Sequence, residues 1–494
     1  MSYKKAMTEI RPAYAAGDFD TALAVTEKKA DAHTDSLNDS ALLWQLNHAS
    51  VLRAAGKTEQ AEQSWEFAQP MFEQAWENER VNLVRDALGM VVPGADDTAY
   101  YGRAHDGVML YTYRALGAMQ MGDMDEARRF ILCALAFRDE VIDENKARVE
   151  KRMAAAKRGR AASDDQSESD SAAMTRAAIS DGLDDSEEKD KTDLLRQDSL
   201  VAGDALLTKV EENRRTEEAE LAMDLEGYAN YANPLTGFLT YLFLRTQGTG
   251  LIQTDRENVR RELQELGVFA AKNSVIRDAL AQGADIPLAN SVFVFFETGM
   301  VPRQEEVRVD IPIPTKYISY LGVAYPRLVF NPDYVPVLGV SDSAGHRVDT
   351  ELLANFDAIV KRVFDDEFPG VIARQVAQSV LNAAVNAALN MAVRKGTDSI
   401  SDPGTKVLAQ VGVWAVTAGL SYAMIDADTR SWELLPKQFQ LARLDIPEDR
   451  KIMLSFPNGW REEVTLGAGN VMVVIVKSTG TQQAQPLVSQ FKLK

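Results

Sequence analysis

The residues best equipped for chemistry stand in one run, Tyr100-Tyr101-Gly102-Arg103-Ala104-His105-Asp106-Gly107. Tyr and Arg are the side chains that binding hot spots favour, and a carboxylate beside a His can fix the orientation of its ring. Two readings follow. Tyr100, Tyr101, Arg103, His105 and Asp106 contact a peptide or other ligand, or the tyrosines pack between helices while Asp106 orients His105. A second run, Tyr228-Ala229-Asn230-Tyr231-Ala232-Asn233, offers Tyr228, Asn230 and Tyr231 under the same alternatives.

Other reactive combinations read as structure. The pairs Asp365-Asp366 and Glu305-Glu306 lie beside Arg362, Arg303 and Arg308, which suits surface ion pairs better than tuned acid–base groups. Thr465-Leu466-Gly467-Ala468-Gly469-Asn470 joins two strand-like stretches and lacks a lysine, whereas a phosphate loop needs a helix N-terminus. The sole cysteine, Cys133, sits in the apolar run Phe130 to Leu135 and reads as packing. His33, His48, His105 and His346 show no zinc spacing. No nucleophile elbow or His-Glu-x-x-His motif occurs. The chain is therefore expected to be no enzyme and to need no metal or cofactor.

Composition bounds the partners. The 494 residues predict two to four domains and carry a formal charge of −19, with a pI near 4.8. No basic face is available to neutralise phosphates, so nucleic acid is not expected. The start, Met1-Ser2-Tyr3-Lys4-Lys5, runs into amphipathic helix without an apolar signal core. Read by itself, that points to the cytoplasm.

The elements that must position these residues begin with a repeat. Ala15-Ala16-Gly17, Ala54-Ala55-Gly56 and Met121-Gly122-Asp123 each end a helical stretch in a Gly turn and open another. The spacing of the three turns is uneven, whereas a tetratricopeptide (TPR) period is about 34 residues, so an irregular TPR-like stack is expected over 1–145. Val91-Val92-Pro93-Gly94 must break a helix. A basic block from Lys146 to Arg160 precedes an acidic, serine-rich stretch, Ser163 to Asp193, too poor in apolar residues to offset ordering entropy. Residues 146–200 are thus expected to be a charged linker, and 201–285 further helix pairs. Asn233-Pro234 starts one of them, and Asp255 to Asn273 aligns Val259, Leu263, Leu266 and Phe269 on one face.

From 286 the period changes to two. Val292 to Glu297, the alternating Val307, Val309 and Ile311, Tyr317 to Tyr325, and Val335 to Val340 predict strands, with Pro326 and Asn331-Pro332-Asp333 as interruptions. Phe439 to Leu444, Ile452 to Phe456 with an Asn458-Gly459 turn, Val471 to Val476, and Leu487 to Leu493 complete a β-sandwich-like domain over 286–350 and 430–494. Between its halves, 351–429 predicts inserted helices: Glu351 to Val363, Pro369 to Val393, and Lys406 to Ile425. The last two form a small-residue hairpin. Val407 to Ile425 carries no charge, close to the length of a membrane span, but Gln410, Thr417 and Ser421 dilute it. Its Val407, Val411, Trp414, Leu420 and Tyr422 would contact other copies of the chain or lipid.

The stretches Tyr100 to Arg103, Leu110 to Leu116, Tyr231-Ala232-Asn233-Pro234 and Val294-Phe295-Phe296-Glu297-Thr298-Gly299 resemble an uncharacterised family of bacterial TPR-containing cell-envelope lipoproteins. That resemblance implies a periplasmic or outer-membrane-associated location and a lipidated N-terminal Cys. The expected fold class is α+β, an irregular TPR-like superhelix followed by a β-sandwich-like domain with an inserted hairpin. The expected function is a non-enzymatic scaffold or assembly protein that binds protein partners. The alternative is a membrane-associated or ring-forming homo-oligomer using 369–427.

Overall fold

The computed structural model describes residues 3–32, 40–87, 100–142, 206–215, 233–246, 253–282, 288, 290–312, 320–372, 375–376, 379 and 426–494. Helices are followed by a sheet region. The N-terminal helices are α1 (Tyr3–Ala16), α2 (Phe19–Asp31), α3 (Ala41–Ala54), α4 (Thr58–Ala87) and α5 (Ala104–Met121), then α6 over 124–142. After them come α7 (206–215), α8 (Pro234–Thr246), α9 (Gln253–Phe269) and α10 (Ser274–Gln282).

The three Gly turns share one geometry. Gly17, Gly56 and Gly122 all adopt left-handed φ, at 77°, 76° and 81°. In each, the glycine N–H reaches the carbonyl three residues back (Tyr14, Arg53, Met119), and the next N–H reaches the one five back (Ala13, Leu52, Ala118). This is the Schellman arrangement, and it reverses the chain into an antiparallel partner helix. Helices α1 to α5 pack in sequence order. Further along, the Asn233 side chain accepts the Leu235 N–H at 3.1 Å and caps α8, as its sequence predicts.

Eleven strands are described among these residues: β1 (Ser291–Thr298), β2 (Arg303–Pro312), β3 (Tyr320–Val329), β4 (Gly339–Asp342), β5 (Arg347–Asp349), β6 (Glu351–Asn355), β7 (Gln438–Asp445), β8 (Lys451–Ser455), β9 (Arg461–Thr465), β10 (Val471–Ser478) and β11 (Leu487–Lys492). They form a five-stranded sheet in the order β11-β10-β1-β7-β6, a four-stranded sheet β5-β4-β8-β9, and a β2-β3 ribbon. β1 is parallel to β10 and antiparallel to β7.

Alternation along β1 gives the two faces different partners. Phe293 and Phe295, with Leu441, Val473 and Ile475, join the helices in one continuous core. Val292, Val294 and Phe296, with Leu444 and Val474, pack with Val340, Ile452, Leu454 and Val464 of the four-stranded sheet. A strand buried on both faces reads as the unbroken apolar run seen here. The ribbon packs with α7 and α11, a helix over 356–372, through Val309, Val323, Tyr325, Leu206, Val210 and Phe368.

Three expectations are corrected. Glu351 to Asn355 is not helix but the edge strand β6, paired with β7 through a bulge at Leu352/Ala354, so the insert begins after residue 355. Helix α11 runs through Pro369 rather than starting there. Pro326 does not separate strands. It lies inside β3 opposite Glu306, which a strand of a two-stranded ribbon tolerates because the missing N–H need not face a second neighbour. The expected break at 91–94, the linker at 146–200 and the hairpin core at 380–425 lie outside the described residues.

A buried ion group bolts helices to sheet. Arg53, at the end of α3, donates both terminal nitrogens to Glu297 on β1, one at 2.6 Å. Lys477, opposite Glu297 on β10, reaches the same carboxylate at 3.3 Å. Arg53 also lies 4.3 Å from the ring centre of Tyr113 on α5. Burial pushes the Lys477 ammonium down to about 8, against the pull of Glu297. Between about pH 8 and the onset of tyrosine ionisation near 10, the unfolded chain therefore holds a proton that the folded chain lacks, and stability rises with pH.

Glu297→Ala strands two buried cations and should cost about 3–5 kcal/mol in denaturant unfolding, whereas Lys477→Met should be neutral or stabilising. Lys477→Met should also abolish the gain in stability between about pH 8 and 9.5. A second comparison tests the turns. Gly122 has open space around it, so Gly122→Ala should cost only the left-handed penalty of about 1 kcal/mol. A Cβ on Gly102 (φ 77°) would stand 2.4 Å from the Phe72 ring, so Gly102→Ala should cost about 1–3 kcal/mol more.

Candidate functional site

The run at 100–107 folds into the start of α5. Asp106 is the third helical residue, and its Oδ2 accepts the Arg103 backbone N–H at 2.9 Å and the Tyr100 hydroxyl at 2.6 Å. A carboxylate here satisfies an orphan donor and faces the positive end of the helix dipole. His105 Nε2 stands 3.4 Å from Asp106 Oδ1, and Arg103 Nε 4.0 Å from Glu367 of α11. Tyr100, Arg103, His105 and Asp106 are all buried, with Asp106 at 0 % exposure. Burial holds the His105 imidazole below its ordinary range, outweighing the pull of Asp106. Tyr101 is half-buried and stacks beside Tyr100 at 6.1 Å.

The glycines of the run admit aromatic rings. Cβ atoms at Gly102 and Gly107 would overlap Phe72, and at Gly107 also Phe137. Those rings belong to a cluster with Trp76 and Tyr111. The structure thus brings Tyr100, Arg103, His105 and Asp106 together, buried, at the capped start of α5. Tyr228, Asn230 and Tyr231 lie outside the described residues, as do Val407, Val411, Trp414, Leu420 and Tyr422.

The connection over residues 426–437 has no regular secondary structure and runs along α1 as a strap. Helix α1 holds it through one face. Tyr3 donates to the Ser431 carbonyl at 2.6 Å, Arg11 to the Glu433 carbonyl and carboxylate at 3.1 and 3.0 Å, and Tyr14 to the Leu434 carbonyl at 3.4 Å. Trp432 donates to Ser50 of α3 at 2.9 Å. Lys437 pairs with Asp357 of α11, whose carboxyl burial pushes up to about 6. The strap's own sequence, Asp426 to Lys437, shows no period that would announce it.

A second polar surface lies where α4, α5 and α6 meet. Glu62, Glu66, Gln69 and Glu73 recur at three- and four-residue intervals, which places them on one face of α4. From α5, Arg114 reaches Glu62 at 2.6 Å and also Gln69, while Tyr111 donates to Glu73 at 2.7 Å. From α6, Phe130 is flanked by Arg114 and Arg129, each 4.1 Å from its ring centre, and Arg129 pairs with Glu126. Cys133 is half-buried here, and burial pushes its thiol up, away from the reactive thiolate. Four carboxylates face two guanidiniums, so the surface carries net negative charge. The interval of α4 could have revealed it, but its partners come from other helices.

Among the described residues, no group of three His, Cys, Asp or Glu is placed to hold a metal ion. Comparison with family models, curated proteins and solved structures gives no match.

Asp106→Ala leaves the Tyr100 hydroxyl and the Arg103 N–H buried without an acceptor. It should cost about 2–4 kcal/mol in thermal or denaturant unfolding. Arg129→Ala, on the exposed rim of α6, should stay within about 0.5 kcal/mol of the parent.

Proposed function

We propose that the protein is a non-enzymatic scaffold that binds protein partners, its helical hairpins forming an irregular TPR-like superhelix and its two larger sheets a β-sandwich-like unit. The observation that carries this reading is the threefold recurrence of one capped helix reversal in helices that pack in sequence order. Repeated hairpins of this kind build extended surfaces, and extended surfaces serve recognition. The partner surface is the α4–α5–α6 face, where Tyr111, Arg114 and Arg129 stand among Glu62, Glu66, Glu73 and Glu126. Its charge favours a partner segment rich in Lys or Arg.

A place in the bacterial cell envelope belongs to the same proposal and rests on the resemblance of Tyr100 to Arg103, Leu110 to Leu116 and Val294 to Gly299. Among the described residues, no helix is long and apolar enough to cross a membrane. Homo-oligomer formation through 369–427 is the second reading. It is favoured by the uncharged stretch Val407 to Ile425.

Deleting the helices would expose the sheet, so charge reversal is the cleaner test. Partners captured by the full chain should be lost on Glu66→Lys with Glu73→Lys and retained on Lys451→Glu in the distant four-stranded sheet. Quantitative co-purification that recovers the same proteins at the same level with both variants would exclude this face. A mass measurement giving only monomer would remove the oligomeric reading.

A further inference from the structure

The acidic face of α4 presents carboxylate oxygens in a regular row. Glu62, Glu66, Gln69 and Glu73 follow a 4-3-4 spacing, which keeps them on one side of the helix. The three acids have acceptor capacity to spare. Glu62 and Glu73 each use only Oε1, Glu62 toward Arg114 at 2.6 Å and Glu73 toward Tyr111 and Gln69, both at 2.7 Å. Among the described residues, Glu62 Oε2 is buried with no hydrogen-bond partner, and the exposed Glu66 makes no ion pair or hydrogen bond. A buried acceptor left open costs free energy until a donor reaches it.

The neighbouring helices leave that charge unanswered. Tyr111 of α5 meets Glu73, and Arg114, one turn later, meets Gln69 and Glu62, so α5 counts backwards against α4. Arg114 is thereby committed to Glu62. On the α6 side, Arg129 is committed to Glu126 and lies over Phe130. Each guanidinium cancels one carboxylate, and Glu66 and Glu73 remain. Met121 stands on the same side of α5 as Arg114, two turns further on, and therefore past the Glu62 end of the row. It is 45 % exposed, an unbranched apolar side chain that adapts to the shape of a partner.

We infer that the partner segment recognised here is a helix laid along α4, with Lys or Arg at the same 4-3-4 spacing and an apolar residue past one end, against Met121. The spacing is that of a coiled-coil seam, and a second helix rising about 1.5 Å per residue stays in step with every member of the row. It reads the same in both directions, so either orientation of the partner fits. An extended segment falls out of step. Its same-side residues repeat every ~6.6 Å, and three such steps overshoot the ~16.5 Å from Glu62 to Glu73 by about 3 Å. A helical partner brings donors to Glu62 Oε2, Glu66 and Glu73 Oε2 together. The inference rests on the scaffold reading for the choice of face, and adds the conformation and register of the partner.

Fluorescence anisotropy with synthetic peptides tests it on the full chain. The probe is an Ala-rich helix of about 18 residues, with lysines at i, i+4, i+7 and i+11 and a leucine beyond each end. One control keeps the composition but spreads the lysines around the helix. A second keeps the spacing but carries a central proline, which breaks the helix. At ~0.15 M salt, where attraction between distant charges is largely screened, the probe should bind about tenfold more tightly than either control. Glu66→Lys removes no contact within the fold and should weaken the probe about tenfold, since it turns a close charge pair repulsive. Glu462→Lys, at an exposed position on β9, changes the net charge equally and should leave binding within about twofold. Equal binding of the three peptides would overturn the inference. So would an equal loss with Glu66→Lys and Glu462→Lys, the result that net charge alone produces. Partners lost on Glu66→Lys with Glu73→Lys, while the three peptides bind equally, would keep the scaffold reading and remove the helical one.

Discussion

Glu297 is the residue around which the molecule is organised. It sits on the central strand of the five-stranded sheet, buried to 1 % exposure, and takes a guanidinium from α3 and an ammonium from β10. A lone buried carboxylate would be prohibitively costly, and so would either cation. The three groups are mutually obligatory, and they come from three distant parts of the chain. Forming this contact requires that the helices, β1 and β10 be in place together. It also fixes orientation, because Glu297 faces the helices only in one of the two alternations available to β1. The same alternation sends Phe293 and Phe295 to the helices and Val292, Val294 and Phe296 to the second sheet. One register decides both interfaces.

The excess positive charge in that group has a physical meaning. Two cations share one anion, and the low-lying Lys477 ammonium shows that the environment does not fully pay for both. Aromatic faces supply part of the remainder, since Arg53 lies over Tyr113 and Lys477 is 5.9 Å from the Tyr14 ring centre. Tyr14 then continues outward to the strap through Leu434. A line of contacts thus runs from the sheet centre through α1 to the segment 426–437. The strap, though irregular, is as deeply tied to the core as any helix.

Local order was legible in the sequence, and long-range assembly was not. Gly17, Gly56 and Gly122 announced three helix reversals because left-handed backbone leaves a glycine signature. The continuous apolar run of β1 and the Asn233-Pro234 helix start were equally plain. β6 was missed because Glu351-Leu352-Leu353-Ala354-Asn355 is short and bulged, and its pairing partner β7 begins only at Gln438. Pro326 misled because its effect depends on whether a neighbouring strand needs its N–H. The run at 100–107 combined residue types that serve binding with those that cap a buried helix. The packing of Phe72 and Phe137 against Gly102 and Gly107 joins residues too far apart in sequence to be read from the run itself. Likewise, Glu62 and Arg114 lie far apart in sequence, and no pattern within either helix links them.

The orientation of the hairpins constrains any function built on them. The first helix of each hairpin looks inward. α1 binds the strap, α3 sends Arg53 into the sheet, and α5 stacks Tyr113 on Arg53 and donates from Gln120 to Ser489 of β11 at 3.1 Å. α3 and α5 are buried along almost their whole length. The sheet and strap of this chain therefore occupy the side of the stack that the first helices line. The partner proposed above is left with the second helices, α2, α4 and α6, and with the parts of α5 that show between the last two. That surface mixes charge with exposed apolar side chains: Arg114 and Arg129 sandwich Phe130, while Phe67 of α4 and Leu132 of α6 are exposed. For the partner proposed above, the charged groups there would contribute selectivity and fast, salt-sensitive association more than raw affinity. The helices thus serve the fold with one face, which leaves only the other for the partner proposed above.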